Sequence, residues 1–205
     1  MPETDVLGRD GREEAGRSPT GRQLDVVDLL LVQHARIEEL FLLVAGTSGE
    51  RKREAFDDLV RMLSVHETAE EEVVHPLGRG LRDGADALID DRLEEERQAN
   101  EMLKELVGTG PDGEGFDEAL LLLRDAVLTH ARYEERYEFP RLREKVPAER
   151  LRNLATAVRA AEAMAPTRPH PGTESLKANL AAGPVLAVAD RARDLIREAV
   201  RKTTS

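Results

Sequence analysis

The chain is predicted to be all-α, an antiparallel up-down four-helix bundle with extra C-terminal helices, and three observations predict it. An eleven-residue signature, His followed four residues later by Glu and ten later by Pro, occurs twice, as His66, Glu70, Pro76 and as His130, Glu134, Pro140. A looser similarity precedes each copy: Gln33-His34-Ala-Arg-Ile37-Glu38-Glu-Leu40-Phe41 lies over Glu95-Glu96-Arg-Gln-Ala99-Asn100-Glu-Met102-Leu103. His34 stands 32 residues before His66 and Glu96 stands 34 before His130, so two helix pairs of nearly equal length follow one another. No alternating strand pattern of any length occurs. A duplicated helical hairpin closes most simply into an antiparallel bundle, whose core is where side chains from facing helices can share ions.

Each element has its own signals. Residues 1 to 22, rich in Gly, Arg, Glu and Pro, read as a disordered leader. A first helix is expected over about Asp25 to Val44, before Gly46-Thr-Ser-Gly49. A second covers about Glu50 to Val74 and stops near Pro76, with Gly78 and Gly80 beyond. A third is expected over about Gly84 to Leu106 and a fourth over about Phe116 to Phe139. Pro147 suits the first turn of a fifth helix, to about Met164. Residues 165 to 172 hold three prolines and read as a linker. A last amphipathic helix, about Val185 to Lys202, would dock on the acidic bundle or mediate self-association. The organisation expected is therefore a leader (1–22), a bundle (23–146) and a helical extension (147–205). Gly108-Thr-Gly110-Pro-Asp-Gly113 satisfies the dinucleotide-binding pattern, but it follows a helix instead of a strand and is read as a connection.

Composition narrows the function. The 205 residues contain no Cys, which removes disulfides, thiolate metal sites and Cys nucleophiles. With 3% aromatic residues and no Trp, the core must be built from Leu, Val, Ala and Ile. The N-terminal residues carry no apolar signal region and no stretch approaches the ~18 apolar residues of a membrane span, so a soluble cytoplasmic protein is the expectation. The net charge of −11 is uneven. Residues 147–205 hold ten Lys/Arg against six Asp/Glu, whereas residues 23–146 hold sixteen against thirty, a net of −14. So acidic a bundle disfavours nucleic acid and anionic lipid as partners.

Apolar periodicity decides where the polar candidates point, because residues three, four and seven apart share a stripe. His34 shares one with Val27, Leu30, Leu31, Ile37 and Phe41; His66 with Leu59, Met62, Leu63, Ala69 and Val73. His130 falls among Leu123, Ala126, Val127, Tyr133 and Tyr137, and Glu96 among Ile89, Leu93, Ala99 and Leu103. One buried His is ordinarily a neutral imidazole bonded to a neighbour. Three His and three Glu converging from four helices are different, because each buried carboxylate costs several kcal/mol unless positive charge is at hand. Arg92 is the only obvious cationic residue on these faces. The missing charge is most economically a pair of metal ions. A helix advances about 100° per residue, so Glu70 and Glu134 lie about 40° from their histidines, whereas Glu71 and Glu135 lie about 140° away. The former are expected as ligands, the latter as supporting or surface groups. Glu38, four after His34, is an outside candidate, since its counterpart in the repeat is Asn100.

These residues resemble the hemerythrin-like HHE cation-binding domains, over about residues 24 to 143. The resemblance rests on the order His, His-x-x-x-Glu, one ligand, His-x-x-x-Glu, with Pro after the second and fourth helices; His75 fills one place where the doubled pattern has an aromatic residue. The tail from Ala161 to Ala199 is similar to the extension on some bacterial, particularly actinobacterial, members. The family implies an oxo- or hydroxo-bridged di-iron centre, with His34, His66 and His130 as terminal ligands and Glu70 and Glu134 as bridges. In the third helix Glu96 stands where the family usually has His, with Arg97 or Gln98 reaching the site only under a shifted register.

That substitution bears on the expected activity. A third carboxylate favours the ferric state over reversible oxygenation, so the resemblance implies a di-iron protein that turns over or senses H2O2, O2 or NO, as a catalase-like or peroxidase-like scavenger or a redox-responsive protein. Binding of O2 or iron without turnover and a metal-free regulatory bundle are the alternatives. Zn or Mn would also suit His and carboxylate ligands. Tyr137, seven after His130, is expected either to donate a hydrogen bond to a bound oxygen species or to be ordinary core.

Overall fold

A computed structural model of the chain describes residues 23–79 and 86–164, together with Asp190, Arg193, Asp194, 196–198 and Arg201. The expected leader, the linker at 165–172, the start of the third helix at Gly84 and the side chains of Ile89, Arg92 and Leu93 lie outside the described residues. The fold is all-α, with the long helices in a four-helix-bundle arrangement. They are α1 (Val26–Gly46), α2 (Gly49–Ala69), α4 (Asp86–Thr109) and α5 (Phe116–Tyr133). Short α3 (His75–Arg79) and α6 (Phe139–Lys145) extend α2 and α5, and α7 (Ala148–Met164) packs across α1 and α2.

Local chemistry sets the ends. Asp25 caps α1 by accepting the Asp28 N–H at 2.9 Å, while the Asp25 N–H donates to the Asp28 carboxylate at 3.0 Å, so two N–H groups at the start of the helix are satisfied reciprocally. Arg143 of α6 donates to both acids, at 3.1 and 2.5 Å, and so ties the beginning of α1 to the helix that continues α5 at the same end of the bundle. α4 runs to Thr109, past the expected Leu106, and ends where Gly110 takes φ 73° and donates its N–H to the Leu106 carbonyl at 2.8 Å. Gly110, Gly113 and Gly115 therefore lie in a helix-to-helix connection, as the sequence context indicated, while Gly108 still belongs to α4.

The stop expected at Pro76 is not where the helix ends. After Ala69 the backbone widens into a π turn over Glu70–Val74, closed by the His75 N–H on the Glu70 carbonyl, and the helix then passes through Pro76 to Arg79. The second signature behaves identically, with a π turn over Glu134–Glu138 closed by Phe139 N–H on Glu134 and helix continuing through Pro140 to Lys145. Proline offers no N–H and its ring crowds the carbonyl four residues back, so a helix can cross it where the preceding turn is opened by one residue. The expected fourth-helix end at Phe139 is corrected for the same reason.

The core has two apolar parts with the His and Glu layer between them in the chain. One is built from Val26, Leu30, Val73, Phe139, Leu151 and their neighbours, the other from Phe41, Leu59, Leu63, Leu103, Phe116, Leu120 and theirs. Near the C-terminus Ile196 is fully buried in the first of these, and Arg193 and Arg197 reach Glu71 and Glu72 at 2.8 Å, so these residues dock on the bundle.

Candidate metal centre

Four helices each bring polar side chains to one level. α1 supplies His34, α2 with its π turn supplies His66 and Glu70, α4 supplies Glu96, and α5 with its π turn supplies His130 and Glu134. The spacing works because each Glu is the first residue of a π turn and so still follows α-helical geometry from its His; His66 Nε2 lies 2.9 Å from Glu70 Oε1.

Donor atoms of His34, His66, Glu70 and Glu134 lie within 4.8 Å of one another, all four residues buried. Donor atoms of Glu70, Glu96 and His130 form a second such group. Glu70 belongs to both, with Oε1 toward His66 and Oε2 4.0 Å from His130 Nε2. Glu134 Oε2 also faces both sides, 3.5 Å from His34 Nε2 and 3.7 Å from His130 Nε2.

The imidazoles are aimed. His34 Nδ1 donates to Glu135 at 2.8 Å and His66 Nδ1 donates to the Gln33 side-chain carbonyl at 3.0 Å, which leaves both Nε2 atoms facing the centre, 3.1 Å apart. Phe139 stacks on His34 with ring centroids 5.6 Å apart. Fixing the outer nitrogen with an acceptor is how a protein presents the other nitrogen as a ligand.

Electrostatics shows what the cluster lacks. Burial pushes the His34 imidazole down, but the facing Glu134 and Glu70 carboxylates outweigh it and raise the group to about 10. Burial raises Glu134, and repulsion by Glu70 adds to it, so this carboxyl sits well above the usual range. Burial would raise Glu70 too, yet the nearby His66 and His34 imidazoles, which favour its charged form, hold it well below. Burial likewise pushes Glu67 up to about 8, with Asn100 opposing and Glu70 and Glu96 adding to the rise. Glu70 Oε1, both oxygens of Glu134, Glu96 Oε1 and both ring nitrogens of His130 are buried with no hydrogen bond of good geometry. Orphaned acceptors around two close carboxylates are costly unless a cation completes them. The donor set of imidazole and carboxylate fits divalent and trivalent first-row metals, and the residues present fit a pair of such ions.

All six expected ligand residues therefore meet in one region. Glu135, placed by helix geometry away from its His, supports His34 instead, and Glu71 is exposed and paired with Arg193. Glu38 is exposed on α1, and Arg97 points outward to Glu94 and Glu101. Tyr137 does not join the His130 stripe: it is 43% exposed and packs on Tyr133 at 4.9 Å, because the π turn rotates everything after Glu134. His75 was not among the expected residues. Its Nε2 lies 3.0 Å from Glu96 Oε1, and the same added residue in the turn that turns Tyr137 away is what brings His75 inward.

A helical bundle with a buried His and carboxylate cluster suited to cations is the class that fold and site define together. Comparison with known families agrees in detail: residues 25–142 match the hemerythrin HHE cation binding domain, and the chain belongs to that family. Among curated proteins it is similar to a DNA nickase of Nostoc sp., 25% identical over 142 residues, which are 69% of this chain and 40% of that protein. The chain thus spans well under half the length of that relative. No solved structure matches it.

Proposed function

We propose that this chain is a non-heme di-iron protein that reacts with or senses a small oxidant, H2O2, O2 or NO, and that peroxide decomposition or a redox response is its role. The carrying observation is the pair of donor groups sharing Glu70, in which both oxygens of Glu134 and both ring nitrogens of His130 are buried without a well-formed hydrogen bond. In this reading His34, His66 and His130 would each hold one ion, Glu70 and Glu134 would be shared between the two, and Glu96 would complete the second position. Two iron ions held there would supply the redox capacity for catalase-like or peroxidase-like turnover. The chain's own residues do the rest. Gln33 and Glu135 hold two imidazoles in the ligating tautomer, and the apolar layers on either side exclude water. The third carboxylate, Glu96, favours the oxidised metal and disfavours release of O2 unchanged.

Among the described residues no helix is long and apolar enough to cross a membrane, which accords with the proposed action on small molecules in the cytoplasm. DNA, the substrate suggested by the name of the Nostoc relative, is disfavoured by the −14 charge of residues 23–146. Anaerobic iron loading followed by H2O2 tests the reading. Gas evolution supports a scavenger, and a reversible colour change with reductant supports a sensor. A stable oxygenated spectrum in air would favour simple O2 binding, and absence of stoichiometric iron would remove the di-iron reading.

A further inference from the structure

The first π turn, Glu70–Val74, is held from two sides. On its inner side Glu70 belongs to both donor groups, and His75, whose N–H closes the turn, lies 3.0 Å from Glu96. On its outer side Glu71 and Glu72 meet residues near the C-terminus, which are helical where described between Asp190 and Arg201. Arg193 donates to Glu71 at 2.8 Å and its Nε lies 3.2 Å from Glu72 Oε1, while Arg197 donates to Glu72 Oε2 at 2.8 Å. Both oxygens of Glu72 thus face guanidinium groups. Ile196, on the same helical face as Arg193, is fully buried in the apolar cluster that also holds Val73 and Val74 of the turn. The matching acid of the second π turn, Glu135, bonds His34 instead, so the two turns are secured differently.

We propose that these C-terminal residues form a latch on the first π turn, and that its docking and the filling of the metal centre strengthen one another. The inference rests on the metal-binding reading above. A π turn is wider than an α turn, so its five residues have to be held in place, and both contacts hold the same ones. Metal would fix the turn from inside through Glu70; the latch fixes it from outside through Glu71, Glu72, Val73 and Val74. Whichever binds first orders the turn, the second binds more tightly, and the gain is the same factor in both directions. One described apolar anchor and partly exposed ion pairs make an attachment weak enough to open without unfolding the bundle. Loss of metal then frees Ile196 and both arginines, and a change at a buried centre reaches the surface, where a sensor needs it.

Hydrogen exchange of the full-length chain, metal-free and after anaerobic ferrous loading, reads the coupling in one direction and needs no variant to fold. The peptide from Arg193 to Arg201 is expected to exchange about tenfold more slowly with iron bound. A weakly docked helix exchanges by local release, so a gain in global stability alone would leave these amides unchanged. Ferrous titration of Ile196→Ala, which alters no charge, reads the other direction, with affinity expected to fall about tenfold. The pair Arg193→Gln with Arg197→Gln is expected to weaken binding too, whereas removal of positive charge by itself would tighten it. Two irons per chain with exchange unchanged on loading, or with affinity unaltered in both variants, would overturn the inference and leave the metal reading standing. A chain that takes up no iron would overturn both.

Discussion

His75 Nε2 lies 3.0 Å from Glu96 Oε1, in the place that Phe139 and His34 occupy in the other half of the repeat. His75 and Phe139 are the same position of the doubled signature, and Glu96 and His34 are the same position of the two preceding helices. The aromatic and imidazole of one half are thus replaced in the other by an imidazole and a carboxylate. Glu96 thus keeps an imidazole beside it, but that imidazole comes from the first residue of α3, just past the π turn, and not from a long helix. Burial lowers the proton affinity of His75, while the contact with Glu96 more than compensates and raises it.

This exchange predicts that His75→Phe weakens the second cation by about 10–100-fold while the first stays bound, because Glu96 loses the group that orients it. The double variant His75→Phe with Glu96→His, which copies the arrangement of the first half, is expected to recover two-ion binding. Calorimetric metal titration of the three proteins checks both statements.

Glu134→Gln should separate stability from binding. In the metal-free chain the substitution removes a carboxyl whose ionised form is opposed by burial and by Glu70, so the apo-protein is expected to gain about 1 kcal/mol or more at pH 8. Metal affinity should fall by at least tenfold. Denaturant unfolding with and without metal reads both effects.

Metal-free stability should decline as pH rises. The folded-state His34 lies at about 10 against 6.5 for the free group, so its contribution is complete below about 6.5 and is lost on the way to about 10. Glu67, pushed up to about 8, acts with the same sign above its ordinary 4.5, since the folded state resists ionising it. A fall in Tm on the order of 5 °C between pH 6 and pH 9 is expected. Bound metal, which competes with protons for His34, should abolish most of that fall. Scanning calorimetry at matched ionic strength decides.

Two substitutions probe the frame around the site. Asp25→Ala removes the cap of α1 and one arm of the Arg143 tie, and is expected to cost about 1–2 kcal/mol. Leu59→Ala, at a fully buried position, should cost about 2–5 kcal/mol. Neither residue touches the ligands, so metal stoichiometry should be unchanged in both.

Much of this architecture is legible in the sequence because the signal is periodic. His34, His66 and His130 sit on apolar stripes, the i,i+4 step sets Glu70 and Glu134 beside their histidines, and the repeat maps Glu96 onto His34. What escapes is the consequence of the π turns. Read with 100° per residue, everything after Glu70 and Glu134 is rotated wrongly, so Tyr137 reads as facing inward and His75 only as a departure from an aromatic position. The prolines at 76 and 140 carried the signal, since a proline six residues after a ligand inside a continuing helix requires a widened turn before it. The partner of His34 Nδ1 lies 101 residues away, at Glu135, and no local pattern encodes that contact.

Thermal unfolding of the metal-free chain during anaerobic ferrous titration tests most directly whether cations are what makes this buried cluster tolerable. The account predicts a Tm that climbs with added iron and breaks at two equivalents per chain, with the gain lost in Glu70→Ala. A Tm indifferent to iron, with none retained after desalting, would contradict it.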